Sequence, residues 1–388
     1  MAACIGATAS AARQPDYELL KSKVVKAYKQ YKTELDISSF DLYINEDKSG
    51  IKKIMTDIVN KTPSLFYTSH RYSLEYLETT GKITKIQLGY AAEYKYLSGS
   101  VNENAIKKAS AKINKEITKI TSQIKRGMNS VDKALFVHDQ LVKNTSYEDK
   151  SSDNARLTEY GVLVKHKGNC QGYSLAYAVI MKRLGFAVRF VDSASMGHVW
   201  NQVRIGQKWY NVDVTWDDPV ERNSEKNQDG VVKHNFFLAS DSYMKSHGYY
   251  GFEATGASSK KYDKSYFKYI TSAFDYRGSC WVFMNQSGIY RREHIDSGRT
   301  RRLYKVKGMC LIKYNSVKYY YIAYNRLYIF SLRSNKAALV WSPVKKYGYS
   351  YYLTQIKYSA GKIKYCVVNT KKNKQKSGSF KVKKSGLA

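Results

Sequence analysis

The stretch that decides the reading of this chain begins Gly168-Asn-Cys-Gln-Gly-Tyr173. It continues His198-Val-Trp-Asn-Gln-Val-Arg-Ile205 and ends Trp209-Tyr-Asn-Val-Asp-Val-Thr-Trp216. In the first segment Cys170 stands where a helix should begin. Leu175, Ala178, Val179, Met181 and Leu184 continue that helix, and Gly185 is placed to end it. A thiol at a helix N-terminus sits at the positive end of the dipole, which favours the nucleophilic thiolate. The other two segments read as a hairpin closed by Gly206-Gln207. In that register Ile205 faces Lys208 and His198 faces Thr215. Asp213 then lies on the His198 face as a diagonal neighbour, roughly 7–8 Å away. The opposite face, with Val199, Val203, Tyr210, Val212 and Val214, reads as core. A cysteine, an imidazole and a carboxylate to orient it are the set that thiol-based acyl transfer requires.

These residues also resemble a known family. Gly168-Asn-Cys-Gln-Gly-Tyr173, Gly197-His-Val-Trp-Asn201 and Trp209-Tyr-Asn-Val-Asp-Val-Thr-Trp-Asp-Asp-Pro219 look like the core of the bacterial transglutaminase-like superfamily, of a multidomain secreted type. His138-Asp-Gln-Leu-Val-Lys-Asn-Thr-Ser-Tyr147 resembles the helix and tyrosine preceding that core, and Tyr160-Gly-Val-Leu-Val164 fits the approach to the cysteine. Three motifs in order and spacing make the resemblance specific over roughly residues 130–245. It implies an α+β, papain-like fold. It implies Cys170 as nucleophile, His198 as general base and Asp213 as the residue orienting the base.

Around that set the assignments are weaker. Gln171 and the Cys170 backbone N–H are candidates to hold an oxyanion. Trp200 and Asn201 are candidate cleft residues, with sheet packing an equal alternative. Trp216-Asp-Asp-Pro219 reads as a structural strand exit. His138, His166, His234, His247 and His294 read as solvated or structural, because their spacing makes no zinc set with cysteine. No metal and no cofactor are expected. Cys280, Cys310 and Cys366 lie in apolar, strand-like surroundings and read as buried thiols, with one disulfide among them an alternative.

The chain's 388 residues carry 65 Lys+Arg against 32 Asp+Glu, a net charge of +33. That balance points to a polyanionic partner or setting. No stretch approaches the ~18 apolar residues of a membrane span, and five cysteines exclude a disulfide-stapled scaffold. Residues 1–14 read as a signal-peptide remnant ending in an Ala9-Ser10-Ala11-like cleavage site, and the expected location is secreted or cell-envelope associated. Cys4 lacks the hydrophobic run that a lipoprotein cysteine needs.

Residues 15–128 read as an N-terminal α/β accessory region. Helices are expected over Asp16–Leu35, Gly50–Asn60 and Glu103–Lys125, and strands over Ser64–Tyr76 and Ile83–Tyr90. Ser130 is the expected cap of the next helix. The catalytic core is expected over 129–257 and a basic, Tyr/Lys-rich all-β domain over 258–388. After Asp296 there is no Asp or Glu, while 22 Lys+Arg and 13 Tyr remain. Ile289-Tyr290 recurs as Leu327-Tyr328, and Leu303-Tyr304 as Val340-Trp341. A period near 40 suggests propeller-blade units, a small sandwich or an open three-unit sheet. Lys371–Lys384 reads as a flexible basic tail.

The expected function is cysteine-dependent acyl transfer or hydrolysis at protein or peptide amides, by a transglutaminase or peptidase at the cell surface. The expected partners are that substrate and an anionic wall polymer or membrane surface held by the basic region. The alternative is a non-catalytic wall-binding or adhesion protein on the same scaffold. Specific nucleic-acid binding is disfavoured, because no nucleic-acid motif accompanies the charge.

Overall fold

The computed structural model describes residues 16–150, 152–219, 231–253 and 256–381. The signal-peptide and Cys4 readings fall outside them. The chain divides into two compact units, residues 1–111 and 112–388. Among the described residues no helix is long and apolar enough to cross a membrane.

In the first unit α1 (Tyr17–Lys29) is capped by Asp16, whose side chain accepts from the Leu19 N–H at 2.8 Å. It buries Leu20, Val24 and Tyr28. β1 (Glu34–Asp36) is followed by α2 (Ile44–Lys61), longer than the sequence suggests, which buries Ile51, Ile54, Met55 and Ile58. β2 (Thr68–Tyr76) and β3 (Ile83–Tyr90) complete an antiparallel sheet of order β1-β3-β2. Glu103–Thr121 forms α3, whose first residues belong to this unit and whose remainder, from Lys112, belongs to the second.

The second unit holds the decisive stretch. α4 (Ser130–Asn144) is capped by Asn129, not Ser130. Asn129 Oδ1 accepts from the Asp132 N–H, and Asp132 Oδ2 accepts from the Asn129 N–H, so a capping box satisfies two donors and leaves Ser130 inside the helix. Short parallel strands β4 (Ser146–Tyr147) and β5 (Lys167–Gly168) deliver the chain to α5 (Cys170–Arg183). Beyond α5 an antiparallel sheet runs in sequence order. It comprises β6 (Val188–Ser193), β7 (His198–Ile205), β8 (Lys208–Val212) and, after the four-residue helix α6 (Val214–Asp217), β9 (Phe237–Ala239). α7 (Asp241–Ser246) follows.

The register Ile205↔Lys208 and Asn201↔Val212 is the one read from the turn. Gly206 takes φ +58° there, the left-handed conformation such turns demand. The strand is shorter than expected, however. It ends at Val212, because Asp213 turns its side chain to the N–H groups of Thr215 and Trp216 and starts α6.

The C-terminal residues form three successive antiparallel meanders. The first is β10 (Asp275–Arg277), β11 (Cys280–Asn285), β12 (Gly288–Arg292) and β13 (Thr300–Lys305). The second is β14 (Gly308–Lys313), β15 (Lys318–Ala323), β16 (Arg326–Ser331) and β17 (Lys336–Trp341). The third has three strands, β18 (Tyr351–Ser359), β19 (Lys362–Asn369) and β20 (Lys374–Lys381).

The repeated pairs fall on equivalent strands. Ile289 faces Tyr304 in the first sheet and Leu327 faces Trp341 in the second, and each pair is followed by a register shift at the next residue. Val282, Met284 and Ile289 pack with Tyr319, Tyr321 and Phe330, and Tyr320, Ile322 and Ile329 pack with Ile356, Ile363 and Val367. The sheets therefore bury their faces on one another in chain order, which accounts for the tyrosine content. Residues Lys374–Lys381 pair with β19, and Phe380 packs on the sheet core, so the expected basic tail is a strand up to Lys381. Cys280, Cys310 and Cys366 are buried on three different sheets, and none of them is in a disulfide.

Candidate active site

Cys170 opens α5 under an Asn169 cap. Asn169 Oδ1 accepts from the Gln171 N–H at 3.1 Å and the Gly172 N–H at 3.4 Å. That cap fixes the direction of the first helical turn. Gly172 is needed for packing: a Cβ there would lie 2.4 Å from the Arg156 carbonyl oxygen. Cys170 is partly exposed, whereas the other three described cysteines are buried. Gln171 is also partly exposed. Its backbone N–H is committed to the cap, so only its side-chain amide is available to a ligand.

His198 begins β7. Its Nε2 lies 2.6 Å from Asp213 Oδ2. The ring is stacked between two indoles, Trp200 at 5.7 Å and Trp216 at 5.2 Å between centroids. Burial opposes charge on this imidazole. The Asp213 carboxylate, its hydrogen bond and a hydrogen bond with Cys170 outweigh burial and raise the ring to about 10. With Nε2 held by Asp213, Nδ1 is the nitrogen left for Cys170.

Asp213 is almost fully buried, and each of its oxygens is engaged. Oδ1 accepts from the Thr215 and Trp216 N–H groups at 3.0 and 3.1 Å. Oδ2 takes His198 and the Tyr249 hydroxyl, the latter at 2.7 Å. Burial and the Asp213 charge push the Tyr249 hydroxyl far above its ordinary range, which keeps it a donor. Tyr249 lies beyond α7 and carries no signal in the sequence. Trp216 stood in the quoted motif, but its role as a lid on His198 shows only in three dimensions; at 39 % exposed it is the solvent-facing wall of the site.

Trp200 and Asn201 do not line an open cleft. Trp200 is buried and donates from Nε1 to Asn211 Oδ1 at 2.9 Å. Gln202 Nε2 and Asn211 Nδ2 both donate to Asp241 Oδ1, at 3.0 and 2.8 Å, and lock that strand pair. Asn201 is buried on the face of β7 opposite His198, and its Nδ2 has no hydrogen-bond partner.

Behind the site lies a second buried network. His138 Nδ1 is 3.0 Å from Asp139 Oδ1, and His138 Nε2 is 3.2 Å from Asp217 Oδ2. His234 Nε2 is 3.0 Å from the same Asp139 oxygen, and its Nδ1 is 2.9 Å from the Ile270 carbonyl. Asp139 Oδ2 accepts from the Phe274 N–H, and Asp217 accepts from the Phe236 N–H. His138, Asp139 and His234 are brought close enough to share an ion. Every ligating atom already has a partner in the network, however, so its hydrogen bonding is complete with protein groups alone. Burial opposes charge on His138, but its hydrogen bonds to Asp139 and Asp217 raise it to about 9. His294 lies at a separate carboxylate, with its Nδ1 2.6 Å from buried Asp132. Within Trp216-Asp-Asp-Pro219, Trp216 faces His198, whereas Asp217 joins this network and Asp218 accepts from the Tyr173 hydroxyl.

Residues 118–214, which include Cys170, His198 and Asp213, match the family model of the transglutaminase-like superfamily. The core is thus an α+β, transglutaminase-like core carrying a C-terminal domain of antiparallel sheets. No curated protein matches the chain. Among solved structures it is similar to a TGase, at 16% identity and a TM-score of 0.25 over 45% of this chain and 50% of that one. It is also similar to a putative cysteine protease from Cytophaga hutchinsonii, at 13% identity and a TM-score of 0.23 over 37% of this chain and 61% of that one. An arylamine N-acetyltransferase from Mycobacterium abscessus matches at 12% identity and a TM-score of 0.24, over 50% of this chain and 86% of that one. The chain spans about half the length of the TGase and about three fifths of the protease.

Proposed function

We propose that this chain is a cysteine-dependent enzyme that transfers or hydrolyses acyl groups at protein or peptide amides, with Cys170, His198 and Asp213 as its triad. One observation carries the reading: an imidazole with its Nε2 fixed 2.6 Å from a buried carboxylate is raised to about 10 by that carboxylate and by Cys170, a partly exposed thiol at a capped helix N-terminus.

The steps follow from that geometry. His198 Nδ1 takes the Cys170 proton, and the sulfur attacks the amide carbon. The Asp213 carboxylate stabilises the resulting imidazolium and holds its tautomer. The oxyanion is held by the Cys170 N–H and the Gln171 side-chain amide. His198 returns the proton to the leaving amine as the C–N bond breaks, leaving a thioester on Cys170. A second amine, or water, then gives its proton to His198 and displaces the sulfur, and the thiol is restored. The two outcomes are transamidation and hydrolysis. The net +33 charge supports a setting at the cell envelope.

The test is incubation with a glutamine-containing protein and a labelled primary amine, read by mass spectrometry, with Cys170→Ala as control. Amine incorporation lost in the variant identifies transamidation; cleavage or deamidation lost in the variant identifies hydrolysis. Activity that survives in Cys170→Ala contradicts the proposal.

A further inference from the structure

A cleft of about 610 Å³ lies away from the candidate active site, where the end of α4 meets the edges of the C-terminal sheets. Five cations line it: Lys125, Lys143, Arg277, Lys313 and Lys357. They come from the α3–α4 connection, the last turn of α4, β10, β14 and β18.

The lining holds one carboxylate, Asp275, and it is already occupied. Its Oδ2 accepts from Arg277 Nε at 2.6 Å and from the Tyr319 hydroxyl at 2.6 Å. The contact orients the guanidinium by one edge. Arg277 Nη2 remains buried without a hydrogen-bond partner. An orphaned buried donor costs about 1–3 kcal/mol, or more when charged. Like charges gathered at one place add to that cost. An anion in the cleft relieves the repulsion among these cations, and the guanidinium of Arg277, partly exposed and held through Nε, suits a tetrahedral oxyanion.

We infer that this cleft is a binding site for a ligand bearing several phosphate groups in series, and that its source is a polyol-phosphate polymer. Gln123 and Asn144 also line it; their amide nitrogens donate to Lys119 and Gln140, which leaves their amide oxygens to accept from polyol hydroxyls. The lining tyrosines Tyr276 and Tyr358 are packed against Trp281 and against Tyr314 and Tyr320, so they serve as walls, not as stacking platforms for bases. The inference is independent of the triad, because binding is measured without turnover.

The experiment is calorimetric titration of the full chain with poly(glycerol phosphate), with tripolyphosphate and with an oligothymidylate of matched charge, at several salt concentrations. Two variants are compared, each confirmed folded by its melting transition. Lys125→Gln/Lys143→Gln/Lys313→Gln removes three charges from the cleft. Lys108→Gln/Lys112→Gln/Lys115→Gln removes three from exposed positions of α3. The cleft variant should bind poly(glycerol phosphate) at least about tenfold more weakly. Its log-affinity against log-salt slope should flatten by about three, one per lost phosphate contact, while the α3 variant stays near wild type. Cleft-dependent binding of tripolyphosphate alone supports the phosphate chemistry and moves the source to a small oligophosphate. Equal loss in both variants, or tighter binding of the oligothymidylate, overturns the inference.

Discussion

His198 Nε2 lies 2.6 Å from Asp213 Oδ2 although the two residues are not paired in the sheet. The hairpin ladder stops at Val212, and Asp213 reaches His198 as the cap of α6. One carboxylate therefore has two separable duties. Oδ1 caps a helix and Oδ2 holds the imidazole.

Substitutions should separate those duties. Asp213→Asn retains an oxygen for the Thr215 and Trp216 N–H groups but loses the charge that holds the His198 imidazolium, so it should melt below wild type. Asp213→Ala loses the cap as well and should be destabilised by about 1 kcal/mol or more. Both should lose activity by orders of magnitude, because neither offers His198 a charge. Thermal melts beside single-turnover rates check this. A fully active Asp213→Asn would show that the charge is dispensable.

His198 sets an expected pH limit. Its folded value of about 10 is raised from the ordinary 6.5 of a free imidazole. Its contribution to stability is therefore complete below about 6.5 and is lost as pH rises through 10. The protonated ring supplies the leaving group's proton, so activity should fall on the alkaline side near pH 10. Ring resonances of labelled His198 followed by NMR give the midpoint directly. A midpoint near 6.5 would break the link between Asp213, Cys170 and this imidazole.

Tyr249→Phe removes a hydroxyl and one charge-assisted hydrogen bond to Asp213, a contact of about 1.5–3 kcal/mol. The expected result is a roughly tenfold or greater fall in kcat with KM little changed, since the ring itself stays packed on Trp216. A KM effect alone would make Tyr249 a cleft residue, not a positioning one.

The His138–Asp139–His234 network predicts a stability effect away from the chemistry. Asp139→Asn leaves two buried rings without their shared carboxylate and should cost about 3–5 kcal/mol. Burial works against the Asp139 charge, yet the two histidines hold its carboxyl below the usual range. That part of the stability is present above about pH 4 and is lost on acidification. His138, raised to about 9, contributes in the opposite sense and is lost as pH rises through that value. Denaturant melts across pH on wild type and variant measure both.

The hairpin was legible because its signals are local: a left-handed Gly206, alternating strands and one register. The helix behind Cys170 was legible for the same reason. The exit of β8 was misread because Val212, Val214 and Trp216 alternate like a strand, while the Asp213 cap competes with that pattern. The repeat in the C-terminal sheets was visible as recurring Ile/Leu-Tyr pairs, but sheet faces cannot be assigned before the sheets are stacked. Tyr249 and the His138–Asp139–His234 cluster were out of reach, because their partners lie 36 and 95 residues away. The tail reading failed at Phe380, a single apolar anchor in a lysine-rich segment.

Acylation of Cys170 is the central step of the proposed chemistry and can be measured directly. The full chain is mixed with an activated ester such as a p-nitrophenyl acyl ester, quenched in acid and mapped by peptide mass spectrometry. The predicted result is one acyl group per chain, on the peptide carrying Cys170. It should be absent in Cys170→Ala and formed at least about a hundredfold more slowly in His198→Ala. An adduct distributed over lysines and unchanged in both variants would contradict the account.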